Sequence, residues 1–288
     1  MIDPTLPIYD LTRPARWVGG LIVASPHSGR VYPDWFLESS VLGRRELRSS
    51  EDAFVDRLIA GAPRLGAVTL TARMPRCMVD LNRAPDEIDP AVVRGVPRHP
   101  LNQRTLAGLG VIPRVVAQGR LIHARPIDRR EAERRIAAYW HPYHAALAAL
   151  ITDALDRFGQ AVLIDMHSMP HDAVAHVKGP RPDIVLGNRH GLSASAAISD
   201  IIAGAFEAQG WSLRRNSPFA GAHICAAYGR PSRQCHVVQI EIDRSIYMDE
   251  AALRPLDGFD AVAARIDDAI ARIAGSGLAR EDRAIAAE

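Results

Sequence analysis

The 288-residue sequence holds three cysteines, Cys77, Cys225 and Cys235, and none lies in a CxxC pair. That odd, scattered set argues against a disulfide framework and a thiolate zinc site, so any metal here must use histidine and carboxylate ligands. Lysine is scarcer still, with Lys178 alone, and the basic charge is almost entirely arginine. The 35 Lys and Arg nearly balance 33 Asp and Glu, leaving a formal net charge of +2. No block of five or six like charges occurs, which gives no support to a nucleic-acid tail or a membrane-binding patch. No apolar stretch approaches the ~20 residues that cross a bilayer, and MIDPTLPIYDLTRPARW lacks an apolar run behind a positive start. A cytoplasmic protein with a small-molecule partner is the expectation, and oligomeric state is left open.

What is present reads as a globular α/β chain. Hydrophobic residues make up 48% and charged residues 24%, both close to globular averages, so neither disorder nor a coiled coil is indicated. Strand-like runs fall at Gly20 to Ala24, Ala67 to Ala72, Ala161 to Ile164, Asp183 to Leu186 and His236 to Ile242. Most are apolar at successive positions, the signature of strands buried on both faces. Helical patterns lie between them, at Asp52 to Ala60, about Arg129 to Phe158, Ser193 to Ala208 and Phe259 to Ile273. In the long one, Ile136, Trp140, Tyr143, Leu147, Ile151, Leu155 and Phe158 make an apolar stripe fit to pack on a sheet. A mixed, mostly parallel sheet with helices on both faces follows. We expect one domain over 1–288, with an irregular Pro-, Gly- and Arg-rich insertion at about 84–126 over the site, and a frayed Ala-rich end beyond Ser276.

Two histidines occupy the positions where open α/β sheets place their chemistry. LIVASPHSGRVYP runs apolar into His27, and AVLIDMHSMP delivers Asp165, His167 and Ser168 after an apolar run. Taken alone, His27 also reads as a loop histidine bonding its own turn. In SSEDAFVDRL, Asp52 and Glu51 read as a helix cap or as a carboxylate ligand. Two histidines and a carboxylate, with the fourth position open to water, form a standard hydrolytic zinc site. Such a site needs a general base, and Glu241 is the candidate, since a carboxylate inside an apolar strand is costly unless it faces a metal, an arginine or solvent. Its structural alternative is a salt bridge to Arg244 or another arginine.

In this order, SPHSG with Tyr32 and Pro33, DAFVDRL, RCMVDLNRAP, HPYHAAL, DMHSMP, DIVLGNRHG, and AAYGRP followed by QIEIDRSIYMDE resemble the N-formylglutamate amidohydrolases, zinc hydrolases of carboxypeptidase-like fold. The resemblance implies that His27 and His167 bind Zn2+, that Asp52 supplies the carboxylate and that Glu241 is the general base. The carboxypeptidase pattern HxxE is broken here, because Arg30 stands three residues after His27, so the carboxylate comes from elsewhere and is assigned to Asp52 over Glu51. The resemblance also implies that Asn82 and Arg83 grip a substrate carboxylate, as a guanidinium fork suits bidentate binding. N-formylglutamate carries a second carboxylate, for which Arg76 or Arg244 is expected, while His144 reads as a core or supporting group. The implied activity is hydrolysis of N-formyl-L-glutamate to formate and L-glutamate in histidine breakdown. Another N-acyl amino acid or short peptide as substrate, or a non-catalytic binding protein on the same fold, are the alternatives.

Overall fold

The computed structural model describes residues 7–96 and 103–276. The Ala-rich tail beyond Ser276 and residues 97–102 of the insertion lie outside the described residues. A seven-stranded sheet is built from β1 (Tyr9–Thr12), β2 (Leu21–Ser25), β3 (Val68–Ala72), β4 (Ala161–Met169), β5 (Ile184–Gly187), β6 (Leu213–Arg215) and β7 (Cys235–Asp243). Their order is β1-β3-β2-β4-β7-β5-β6. β4 pairs in parallel with both β2 and β7, and β5 pairs in parallel with β6 but antiparallel with β7. The sheet is therefore mixed and mostly parallel, flanked by helices, as the apolar runs imply.

All five strands expected from the sequence are present. β4 extends well beyond its apolar run, so Asp165 and His167 belong to the strand itself. β4 and β7 are nine residues long and buried at every position, which explains their lack of simple alternation. β1 and β6 escape the sequence reading because they are short and partly exposed, with little apolar signal. The helix expected at Asp52 to Ala60 shrinks to Val55–Leu58, because Phe54 before it adopts φ 67 and breaks the helical path. Such a left-handed turn is uncommon for a bulky residue. The long pattern forms as Arg129–Arg135, a π-helical turn at Ile136–Trp140 and an α-helix at His141–Phe158. Asp128 caps its start through Oδ1, which accepts from Arg130 N at 2.8 Å. The helix Ala196–Glu207 is capped by Ser195, and Phe259–Gly275 buries Val262, Ile266, Ile270 and Ile273 along one stripe.

Contacts divide the chain into two compact units. Among the described residues, one comprises residues 7–10, Pro26–Ala53 and those of 71–146, and the other Leu11–Ser25, Phe54–Leu70 and residues 147–276. The first buries Tyr32, Phe36, Leu47, Met78, Ile112 and Tyr143. The second holds β4 and β7 with the helices Ala196–Glu207 and Phe259–Gly275. In the first unit Gly29 is required sterically: a Cβ there would lie 2.1 Å from the carbonyl oxygen of Met74, so only glycine lets the two backbones approach.

All three cysteines are free and buried. Burial pushes the thiols of Cys77 and Cys225 up to about 12 and that of Cys235 to about 11. Since the thiolate is the reactive form, the native protein at pH 8 should leave a chromogenic disulfide reagent unreacted, and the denatured chain should react at all three sites. A rapidly titrating thiol in native protein would contradict this packing.

Candidate metal centre

In the first unit, Pro26 and His27 turn directly out of β2, and His27 is 2% exposed. Its carbonyl accepts from Asp52 N at 3.0 Å, which brings the acidic pair Glu51 and Asp52 of SSED back beside it. Asp52 Oδ2 lies 3.5 Å from His27 Nδ1, and its Oδ1 lies 3.6 Å from Arg76 Nη1. On the opposite edge of the imidazole, Nε2 donates to Asp80 Oδ1 at 2.7 Å. That bond fixes the tautomer with the lone pair on Nδ1, the nitrogen facing Asp52, and a carboxylate behind a ligating histidine also raises its basicity. Asp80 is itself held by Arg76 Nη2 at 2.8 Å and by Asn82 N at 2.9 Å. Burial works to raise its carboxyl, but His27, Arg76 and Arg83 beside it hold it well below the usual carboxylate range.

Glu51 is engaged differently from its neighbour. Tyr32 OH donates to its Oε1 at 2.7 Å, and Arg48 Nε lies 3.1 Å from Oε2. Burial raises its carboxyl despite these two partners. It therefore anchors the first unit's interior.

The second unit repeats the histidine arrangement on β4. Asp165 and His167 are two residues apart and so share a face of the strand, and His167 Nε2 lies 3.0 Å from Asp165 Oδ2. The parallel register sets His167 opposite Glu241 and Asp165 opposite Gln239, so the general-base candidate sits one strand over from the histidine. Gln239 Nε2 donates to Glu241 Oε1 at 2.7 Å, which orients that carboxylate. His27, Asp52 and His167 are all buried, and each offers a ligand atom within 4.8 Å of the others. Two imidazoles backed by carboxylates, plus one carboxylate, fit a divalent cation of the zinc type. The backing residues Asp80 and Asp165 were not assigned roles from sequence. The i, i+2 spacing of Asp165 and His167 on a strand was the available signal for one of them. Nothing local marks Asp80, which reaches His27 across 53 residues.

The arginines expected to bind substrate are placed unequally. Arg83 is 7% exposed, its Nε donates to Leu109 O and its Nη1 to Asn82 O, both at 2.8 Å. The backbone around it is clamped from the long helix, where Trp140 Nε1 donates to Arg83 O at 2.9 Å and His144 Nε2 to Leu81 O at 2.8 Å. The two rings stack at 3.8 Å between centroids, so His144 is a supporting group, and the π-helical turn ends on Trp140. π-helical turns recur at functional sites. Arg76 is bound to Asp80 and Asp52 as above. Arg244 donates through Nε to Ser168 Oγ at 3.1 Å, and its Nη1 lies 3.8 Å from Glu250 Oε2.

Three substitutions follow, the first two read by elemental analysis of metal content. Asp52→Asn should lose most bound metal while Glu51→Gln keeps it, and the reverse pattern would move the ligand to Glu51. Asp80→Asn should keep the fold but weaken metal affinity by about 10- to 100-fold, the usual effect of removing a carboxylate behind a ligating histidine. Competition with a chelator measures it, and unchanged affinity would dissociate Asp80 from the centre.

The chain matches the family model described as N-formylglutamate amidohydrolase over residues 19–248. It is 31% identical over 236 residues to the N-formylglutamate deformylase of Pseudomonas aeruginosa, covering 81% of this chain and 83% of that protein. With the protein of the same name from Pseudomonas putida it shares 30% identity over 233 residues, 80% of this chain and 82% of the relative. The crystal structure of N-formylglutamate amidohydrolase from Ralstonia eutropha JMP134 superposes with a TM-score of 0.87 at 34% identity, covering 93% of this chain and 97% of that one. The matched span contains His27, Asp52, Asp80, Asn82, Arg83, His167 and Glu241, and with that agreement the chain belongs to the N-formylglutamate amidohydrolase family.

Proposed function

We propose that this protein is a zinc-dependent amidohydrolase that cleaves N-formyl-L-glutamate to formate and L-glutamate, with Zn2+ held by His27, Asp52 and His167. The observation that carries the reading is the buried His27, Asp52 and His167 group, backed by Asp80 and Asp165, in a chain whose relatives bear the names N-formylglutamate deformylase and amidohydrolase. Zinc in such a set acts as a Lewis acid toward the amide carbonyl and makes water nucleophilic near neutral pH. The remaining chemistry belongs to the protein. Glu241, oriented by Gln239, accepts the proton that the attacking water loses and returns one to the departing nitrogen. Asn82 and Arg83 hold the carboxylate on the carbon that bears the scissile nitrogen, so rate arises from placement as much as from charge. Arg76 keeps Asp80 ionised, and Arg244 fixes the end of β4 through Ser168.

The whole chain works as one catalytic domain on a small molecule in the cytoplasm, with neither nucleic acid nor membrane as partner. Among the described residues no helix is long and apolar enough to cross a membrane.

A formate-release assay on a panel of N-acyl amino acids, run on metal-analysed protein, tests the substrate. N-formyl-L-glutamate should be the best of the panel, and absence of formate from it would overturn the reading. Glu241→Gln retains shape and loses the basic oxygen, so turnover should fall by about 10² to 10⁴ while metal content and melting temperature hold. Wild-type turnover in the folded, metal-loaded variant would remove Glu241 from the reaction.

A further inference from the structure

N-formylglutamate is a diacid, and the reading above, on which this inference rests, gives Arg83 only one of its carboxylates. The two cations expected for the other are both committed within the protein. Arg76 spans Asp80 and Asp52, and Arg244 is held by Ser168 and Glu250. A substrate carboxylate would have to displace those partners.

A different arginine stands beside Arg83. The segment from Gln103 to Arg114 is knitted to the substrate-binding loop at several points. Arg83 Nε donates to Leu109 O, and Leu109 N donates to Arg104 O, both at 2.8 Å. Arg114 secures the turn, donating from Nη2 to Leu106 O at 3.0 Å and lying 3.0 Å through Nε from the buried Asp89. Asp80 N donates to Val111 O at 2.9 Å, so the same carboxylate that backs His27 ties its main chain to this segment. Arg104 is exposed on the short helix Gln103–Leu106, and among the described residues no carboxylate pairs with it.

The positive charges add. Burial depresses the Arg83 guanidinium, Asp80 opposes this, and Arg76 and Arg104 depress it further by repulsion. Asp52 and Asp80 neutralise Arg76, whereas the charge of Arg104 is left for an anion from outside. Repulsion between two guanidinium groups turns into attraction for both when a dicarboxylate lies across them.

We infer that Arg104 binds the side-chain γ-carboxylate of the substrate and sets the preference for an acidic over a neutral amino acid. The division of labour follows from burial. Arg83 lies next to the carboxylate that holds His27 and serves the carboxylate nearest the scissile bond, while exposed Arg104 serves the end of the substrate that extends toward solvent.

The test compares N-formyl-L-glutamate with N-formyl-L-glutamine, which differ only in the γ-charge, on wild type, Arg104→Gln and Arg104→Lys. Wild type should favour the glutamate substrate. In Arg104→Gln the ratio of kcat/KM values should fall by about 10- to 100-fold, the scale of a charge-assisted hydrogen bond, chiefly through KM, and Arg104→Lys should restore part of it. An unchanged ratio in Arg104→Gln overturns the inference while leaving the activity intact. If wild type releases formate from neither compound, the activity itself is wrong, and calorimetric binding of L-glutamate against L-glutamine then decides: a preference for glutamate that Arg104→Gln abolishes supports the inference, and equal dissociation constants in wild type refute it.

Discussion

A buried imidazole that is to present a lone pair must place its remaining proton on an acceptor, and a buried carboxylate offered as that acceptor needs compensation of its own. Desolvating such an ion costs several kcal/mol unless charge and hydrogen bonds return it. Asp80 meets both demands at once: it accepts the hydrogen bond from His27 Nε2, receives Arg76 and the Asn82 amide, and through its own amide binds Val111. The turn after β2, the DLNR loop and the insertion are thereby fixed relative to one carboxylate. On β4 the same demand is met more economically, because the pleat places Asp165 on the same face as His167 and the sheet register supplies Glu241 and Gln239 alongside.

The strands that carry the proposed site were legible because its candidate residues stand in an otherwise apolar context. His27 after LIVAS, His167 after AVLI and Glu241 within VVQIEID each interrupt a run whose burial is evident from composition, so their cost demanded a reason. The same contrast made the fold class readable from β2, β3, β4, β5 and β7. It was absent from β1 and β6, three or four residues of mixed polarity at the sheet's edges. It also failed at Val55–Leu58, where helical spacing runs through Asp52 but the left-handed Phe54 ends the helix's N-terminal reach.

Adjacent carboxylates posed a problem of another kind. Glu51 and Asp52 have the same chemistry and neighbouring positions, and they are distinguished only by what the folded chain brings to them: Tyr32 and Arg48 for one, His27 and Arg76 for the other. Asp80 and Arg104 were hidden for a related reason. Asp80 meets His27 across 53 residues, and an arginine among so many carries no signal until the folded chain shows that, among the described residues, no carboxylate pairs with it.

The stacked Trp140 and His144 make their hydrogen bonds to main-chain carbonyls, those of Arg83 and Leu81. Every amino acid supplies that acceptor. The path of the loop is thus held from the helix through the main chain at positions 81 and 83, while the buried Arg83 side chain ties it to Leu109 O and Asn82 O. A change on the helix, at Trp140 or His144, would therefore disturb the course of the loop without altering any side chain the loop carries.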